Sequence, residues 1–195
     1  IVTGVILVSN YLEQQAKNAV DNQQLLTANL QLSADHYQSR LQKSELINKL
    51  NDALNEQKSI QHVSFVSEMP GFKTMTPTIA IEGQTYVTQD KQNFPRANYV
   101  TVSVDTLKNL GSRLVHGRHF NASDKGLDKS TVIITDSFAK QHFGIKTAIG
   151  KRLRIAEFDG ETPKWLTVVG VVQHISYGQP TSAEGKVATV FRPFE

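Results

Sequence analysis

The feature that most constrains this chain is an ordered series of glycine turns and short apolar runs between Leu110 and Val172. It reads Leu110-Gly111, Gly117-Arg118-His119-Phe120, Asp124, Thr131-Val132-Ile133-Ile134, Ser137 to Gly144, Ile149-Gly150-Lys151 and Thr167-Val168-Val169-Gly170-Val171-Val172. Apolar runs this short, bounded by glycine, form buried strands, not helices. The series carries no recognisable catalytic constellation and describes a scaffold.

The neighbouring elements extend it. Thr78 to Glu82 and Asn98 to Val102 read as strands, with Gly83 as a turn. Ser103 or Asp105 can cap a short helix through Leu107 and Leu110, with Gly111 at the left-handed position after it. Val132 to Thr135 is a compact buried strand. Asp136 then caps a short helix bearing Phe138, Ala139 and Phe143, closed by Gly144. Lys151 to Phe158 alternates Leu153 and Ile155 against Arg152 and Arg154. Through Asp159-Gly160 it makes a hairpin with Trp165 to Ile175.

The first third has a longer rhythm. Ile1 to Val8 is apolar without a preceding Met or a basic flank, so it does not read as a signal peptide. Helical spacing continues through Leu12, Ala16 and Ala19. The run falls short of the roughly 20 apolar residues of a membrane span. Two readings stand: an amphipathic helix packed on the core, or the outer end of a transmembrane helix. Gln24 to Ser33 alternates Leu26, Ala28, Leu30 and Leu32 with polar residues and predicts a half-buried strand. Ser33 is the expected N-cap of a helix over 34–56 with the stripe Tyr37, Leu41, Ile47, Leu50 and Leu54. Ile60 to Met69 predicts a second strand, stopped by Pro70-Gly71. A helix between two strands favours a parallel βαβ unit.

Composition narrows the function classes. At 195 residues, 39% hydrophobic and 20% charged, the chain matches a globular protein of one domain with a subdomain or two small ones. The net charge of +3 is too small and interspersed to argue for nucleic acid. With no cysteine, disulfides and thiolate metal sites are excluded.

The search for chemistry finds little. The histidines His36, His62, His116, His119, His142 and His174 show no HExxH pattern. His116 and His119, three apart, fall on opposite faces of a strand. Gly144 to Lys151 fails the phosphate-loop pattern in its glycine spacing and in having Arg152 where Ser or Thr is needed. No nucleophile elbow is present. Lys151, Arg152 and Arg154 form a basic group that reads as a solvated strand face. Asn121-Ala122-Ser123 fits a glycosylation sequon, relevant only to a eukaryotic secretory context.

The order of motifs from Leu110-Gly111 to Val168-Val169-Gly170-Val171-Val172 resembles the MacB-like periplasmic core domain of FtsX-type ABC transporter permeases. The resemblance extends upstream to Ile60-Gln61-His62-Val63-Ser64-Phe65 and downstream to Val190-Phe191-Arg192-Pro193. Met69-Pro70-Gly71 and Val168 to His174 look most like permeases with a duplicated transmembrane unit. The resemblance implies an α+β fold: the βαβ half of a porter-like subdomain plus an inserted mostly-β subdomain with short helices. Residues 1–20 would be the periplasmic end of a transmembrane helix, 21–72 the first βαβ half, 73–188 the inserted subdomain and 189–195 the strand returning to the porter subdomain.

It further implies a non-catalytic role without cofactor, metal or catalytic residues. The domain would face the periplasm from the inner membrane and relay ATPase-driven motion to a substrate or adaptor protein. The implied partners are a cytoplasmic ATP-binding subunit, a second permease copy or half, and a periplasmic adaptor, with no nucleic acid. Phe72 to Met75, Thr85 to Arg96 and Tyr177 to Lys186, polar and irregular, are the candidate partner surfaces. A bare sheet edge and apolar helix in the porter-like half predict self-association. The alternative is a freestanding periplasmic ligand-binding or sensor module, which calls for an apolar pocket with convergent polar groups.

Overall fold

The computed structural model describes residues 26–32, 37, 39–85, 94–126, 130–155, 164–177 and 187–194. Among them, one mixed sheet holds the strands β1 (Ile79–Ile81), β2 (Asn98–Val102), β3 (Leu114–Gly117), β4 (Thr131–Thr135), β5 (Arg152–Ile155), β6 (Leu166–Val172) and β7 (Thr189–Pro193). The helices are α1 (Arg40–Asn55), α2 (Thr106–Asn109) and α3 (Asp136–His142), with a 3-10 turn over Ala122–Asp124. The expected mixed fold, mostly β with short helices, is the one formed.

The strand order is β1-β5-β6-β4-β7-β2. β4 runs parallel to β6 and β2 parallel to β7, while β1/β5, β5/β6 and β4/β7 are antiparallel. β3 pairs with the end of β6 at Gly170 to Val172, beyond the part taken by β5 at Leu166 and Thr167. The 5→6 hairpin agrees with the sequence reading, though β6 ends at Val172 and not at Ile175, and its turn at Asp159-Gly160 lies outside the described residues. Residues 189–193, expected to lead back to a porter-like unit, lie between β4 and β2.

The central strands β4, β6 and β7 are buried on both faces, which explains why they read as continuous apolar runs. Val132, Ile134, Val168, Val171, Val190 and Leu153 point to one cluster, closed by Phe138 and Ala139 of α3. Val100, Val102, Ile133, Val172 and Phe191 point to the other, closed by Leu107 of α2, Phe120, Ile175 and Tyr177. Each large side chain so enclosed contributes roughly 1.5–3 kcal/mol. Val168 and Val171 share a face despite their odd spacing because Val132 pairs with Val168 and Ile133 with Gly170. Val169 is the extra residue of a bulge that rephases the strand.

The first third departs from expectation. Residues 26–32 form no strand, and Leu26 and Leu30 are exposed. The segment 60–69 is irregular, with one antiparallel bridge from Val66 to Val102. A strand persists only beside a partner that takes its N–H and C=O groups, and among the described residues the parallel βαβ unit is not formed. α1 starts at Arg40, not near 34. Its cap is Ser39, whose hydroxyl accepts from Gln42 N–H while the Gln42 side chain accepts from Ser39 N–H. This reciprocal capping box outranks a lone serine such as Ser33. The expected helix over 5–20 and the residue Ser33 lie outside the described residues.

Two further caps differ. α3 is preceded by Thr135, so Asp136 is its first helical residue. There the Asp136 carboxylate pairs with Lys140 at 2.7 Å instead of capping. For α2, neither Ser103 nor Asp105 caps through its side chain: Asp105 makes no such bond, and the Ser103 hydroxyl is engaged with Thr106 and with Phe65 N–H. The end of α2 is as expected. Gly111, at φ +68°, donates to Lys108 O while Ser112 N–H reaches Leu107 O, the paired bonds of a Schellman motif.

Candidate partner-contacting surface

The glycine series builds a rigid corner. Gly117 of β3 stands opposite Gly170 of β6. A Cβ on Gly170 would overlap the Arg118 carbonyl, and one on Gly117 would overlap the Val169 carbonyl. Gly117 also sits at φ +77°, where L side chains are costly. Beyond this crossing, Arg118 grips the buried Asp124 with two bonds of 2.5 and 3.0 Å. Asn121 N–H donates to the same carboxylate at 2.9 Å. Burial alone would raise the Asp124 pKa, but the Arg118 guanidinium and the Asn121 N–H outweigh it and hold the carboxyl below its ordinary value. Gly117-Arg118 and Asp124 are thus a structural staple.

A second set of contacts lies along the outer edge of β2. Ser67 N–H donates to Thr101 O and Ser103 N–H to Phe65 O. Hydroxyls stand in for main-chain partners where the segment is out of strand register: Thr101 N–H donates to Ser67 Oγ, and Phe65 N–H to Ser103 Oγ. Farther along, Tyr99 N–H donates to Met75 O, Thr74 Oγ1 to Tyr99 O and Gly71 N–H to Ser176 O. The edge of β2 is therefore met by residues 65–67 and 74–75.

Of the three candidate partner surfaces, Phe72 to Met75 is the best presented. Its backbone is tied on both sides, yet Phe72 is 47% and Met75 60% exposed. Its outward face joins the apolar Phe72 and Met75 to the exposed Lys73. Of Thr85 to Arg96, residues 86–93 lie outside the described part. Its end is packed, with Pro95 O accepting from Ile79 N–H and Arg96 Nε donating to Thr76 O. Of Tyr177 to Lys186, residues 178–186 lie outside the described part. Tyr177 itself is a core residue, fully buried with its ring 6.3 Å from that of Phe191. Burial, then the charge of Glu68, pushes its hydroxyl pKa up. It cannot belong to a contact surface.

The histidines do not converge. His36 lies outside the described residues, while His62 and His116 are exposed. His119 and His142 are half-buried, and burial lowers the pKa of each, with Lys108 adding to the effect at His119. Among the described residues no three His, Asp or Glu side chains are grouped to hold a metal ion. Sequence reasoning missed one pair: Ser137 Oγ lies 3.2 Å from His174 Nδ1, and 2.9 Å from Thr135 Oγ1. Thr135 Oγ1 accepts from Thr189 N–H at 3.0 Å. A serine–histidine contact can activate a hydroxyl. Here it continues a polar brace joining β4 and α3 to β7 and to the segment after β6. With the pair 37 positions apart in the chain, no motif could have announced it.

The basic group on β5 is also committed. Arg152 pairs with Glu82, and Arg154 stacks its guanidinium 4.7 Å from the Trp165 ring centre.

The profile of the MacB-like periplasmic core domain matches residues 1–195. The chain belongs to that family. No curated protein matches it. Among solved structures, it is similar to the periplasmic region of MacB from Actinobacillus actinomycetemcomitans. The identity there is 16% and the TM-score 0.49, covering 75% of this chain and 54% of that one. A domain of a permease protein from Porphyromonas gingivalis gives 19% identity and a TM-score of 0.45 over 73% of this chain and 55% of that one. The extracellular domain of the noncanonic ABC-type transporter YknZ from Gram-positive bacteria gives 16% and 0.46 over 75% and 61%. The chain thus spans between 54% and 61% of the length of these structures. In this MacB-like domain, among the described residues, no helix is long and apolar enough to cross a membrane.

Proposed function

We propose that this MacB-like domain is the extracytoplasmic part of an ABC transporter permease, and that it relays ATPase-driven motion, without catalysis of its own, to a substrate or an adaptor protein. The observation that carries the reading is the family match along residues 1–195. The physical character of the domain supports it. Relaying force calls for a body that moves without deforming. Here a sheet whose central strands are buried on both faces is locked at its corner by the Gly117–Gly170 crossing and the Arg118–Asp124 staple. Stiffness of this kind lets a displacement at one end appear at the other.

On this reading the domain faces the periplasm from the inner membrane. The division that goes with this reading is 1–20 toward the membrane, 21–72 a first porter-like half whose strands are not formed among the described residues, 73–188 the inserted unit and 189–195 the segment after it, whose β7 is paired within the same sheet. A cytoplasmic ATP-binding subunit drives the permease, and a second copy or half supplies the surface it moves against. The loop carrying Phe72 and Met75 is the surface offered to an adaptor.

The test uses the intact permease with its ATPase in membranes. Cysteines at exposed positions on the two facing domains are cross-linked and ATP hydrolysis is followed. Locking a relay should depress turnover, with recovery on reduction of the cross-link. Turnover indifferent to the lock would contradict the proposal.

A further inference from the structure

Toward β5 the sheet changes from a layer buried on both faces to one with an open side. Along β5 and the first half of β6 burial alternates. Leu153, Ile155, Leu166 and Val168 belong to a core cluster, while Arg152, Arg154, Trp165 and Thr167 keep contact with solvent. Pairing sets these outward residues side by side. Arg152 stands opposite Thr167, and Ala80 of β1 stands opposite Arg154. One step farther along the same ladder Arg154 meets Trp165, its guanidinium 4.7 Å from the ring centre. Arg152 lies 6.0 Å from the same ring and is held by Glu82.

The two arginines are therefore in different states. The charge of Arg152 is met by the Glu82 carboxylate. Arg154 is half-buried and stacked, which fixes its position before any ligand arrives. A stack uses the flat face of a guanidinium and leaves the N–H groups on its rim directed sideways. Ala80, beside it on β1, has only a methyl group and takes none of those donors. The exposed Lys151 and Lys164 stand at the ends of the two strands. Among the described residues, Lys151, Arg152, Arg154 and Lys164 thus face outward here against Glu82 alone.

We propose that this open face of β1, β5 and β6 docks an acidic segment of a partner protein, with Arg154 as the fork that takes a carboxylate and Trp165 as the plate that holds the fork. A planar, two-pronged donor matches a carboxylate in a way that an ammonium group does not. Arg and Trp are also the side chains that most often carry binding energy between proteins. A bilayer is the poorer occupant. Binding in its interface needs apolar side chains to bury, and none of the exposed large ones lies on these three strands. The face is distinct from the Phe72–Met75 loop, and the inference does not need the relay reading.

Trp165 is the only tryptophan in the chain, so its emission reports on this face alone. The probe is a polyglutamate peptide titrated into the full 195-residue chain. The emission should shift saturably, with an affinity that falls as salt screens the contact. Arg154→Gln should weaken binding about tenfold, and Arg154→Lys, which keeps the charge and loses the fork, at least about threefold. Lys151→Gln with Lys164→Gln, both at exposed positions, should weaken it roughly threefold without touching the stack. Arg113→Gln removes the same charge from an exposed position before β3 and should change nothing. No saturable shift would overturn the proposal, as would Arg154 or paired-lysine variants that bind like the parent. Equal weakening by Arg113→Gln would overturn it by reducing the effect to net charge. Phosphatidylglycerol vesicles or inorganic phosphate that move the emission at lower concentration than the peptide would overturn it in favour of a lipid surface or a free anion.

Discussion

Gly117 and Gly170 face each other across β3 and β6, and neither has room for a methyl group because each would strike the backbone beside the other. The crossing sits next to the Val169 bulge that rephases β6, so pairing, register and core placement meet at one point. Gly170→Ala should therefore destabilise the domain by about 2 kcal/mol or more, as an overpacked backbone contact does. A urea midpoint that falls at unchanged slope would show this. Gly126→Ala is a contrast for space: a Cβ there has open surroundings, although its φ of +113° carries its own strain.

The Arg118–Asp124 staple predicts an acid response. Because the folded carboxyl is held below its ordinary value, its contribution to stability is complete above the unfolded carboxylate pKa and is lost as pH falls through the folded one. Asp124→Asn should cost roughly 1–3 kcal/mol at neutral pH, since the guanidinium loses its charged partner. It should also flatten stability against pH below about pH 4. Denaturation at several pH values would reveal an unflattened curve if the staple were irrelevant.

The half-buried His142 gives a signal at higher pH. Its ring lies 4.6 Å from that of Phe138, and burial favours the neutral form. The unfolded chain therefore binds the proton more readily. Stability is full above the unfolded value near pH 6.5 and declines as pH falls toward the lower folded value. His142→Gln should remove part of that slope, measured as the change in Tm between pH 7 and pH 5. An identical slope in the variant would assign the decline to other groups, His119 first among them.

Leu26, at 87% exposure, and Leu30, at 47%, sit in a segment whose sequence alternates like a strand but which forms none. The isolated domain should self-associate through such surface, and Leu26→Lys with Leu30→Lys should shift it toward monomer. Sedimentation across a wide concentration range would show the effect, and a strict monomer at high concentration would count against it.

The same segment shows where sequence and fold part company. β2, β4 and β5 were legible because Val100, Ile133 and Leu153 lie in short apolar patterns bounded by turns, and those patterns survive in any context that buries them. Leu26 to Leu32 has an equally good pattern, but a strand is a relation between two segments and pattern reports one. The same holds for 60–69, where Ser67 and Ser103 hydroxyls replace the register a ladder would require. The glycines at 111, 117 and 144 were legible as turns, whereas the crossing of Gly117 with Gly170 depends on partners far apart in the chain. Of the candidate surface, Phe72 to Met75 was legible as irregular, but not the exposure of Phe72 and Met75 beside Lys73. Tyr177 looked like a loop residue because nothing local announces that it packs on Phe191. The Ser137–His174 contact left no sequence signal at all.

On the proposed function, this MacB-like domain moves as a stiff relay when its transporter hydrolyses ATP. The most direct measurement is the distance between spin labels at Gln141→Cys on the two facing domains of the intact transporter, compared without nucleotide and with ATP trapped. A relay shifts the whole distribution between the two states and leaves the Lys108–Gln141 distance inside each domain unchanged. An inter-domain distance that ignores nucleotide, or an internal distance that changes in its place, would contradict it.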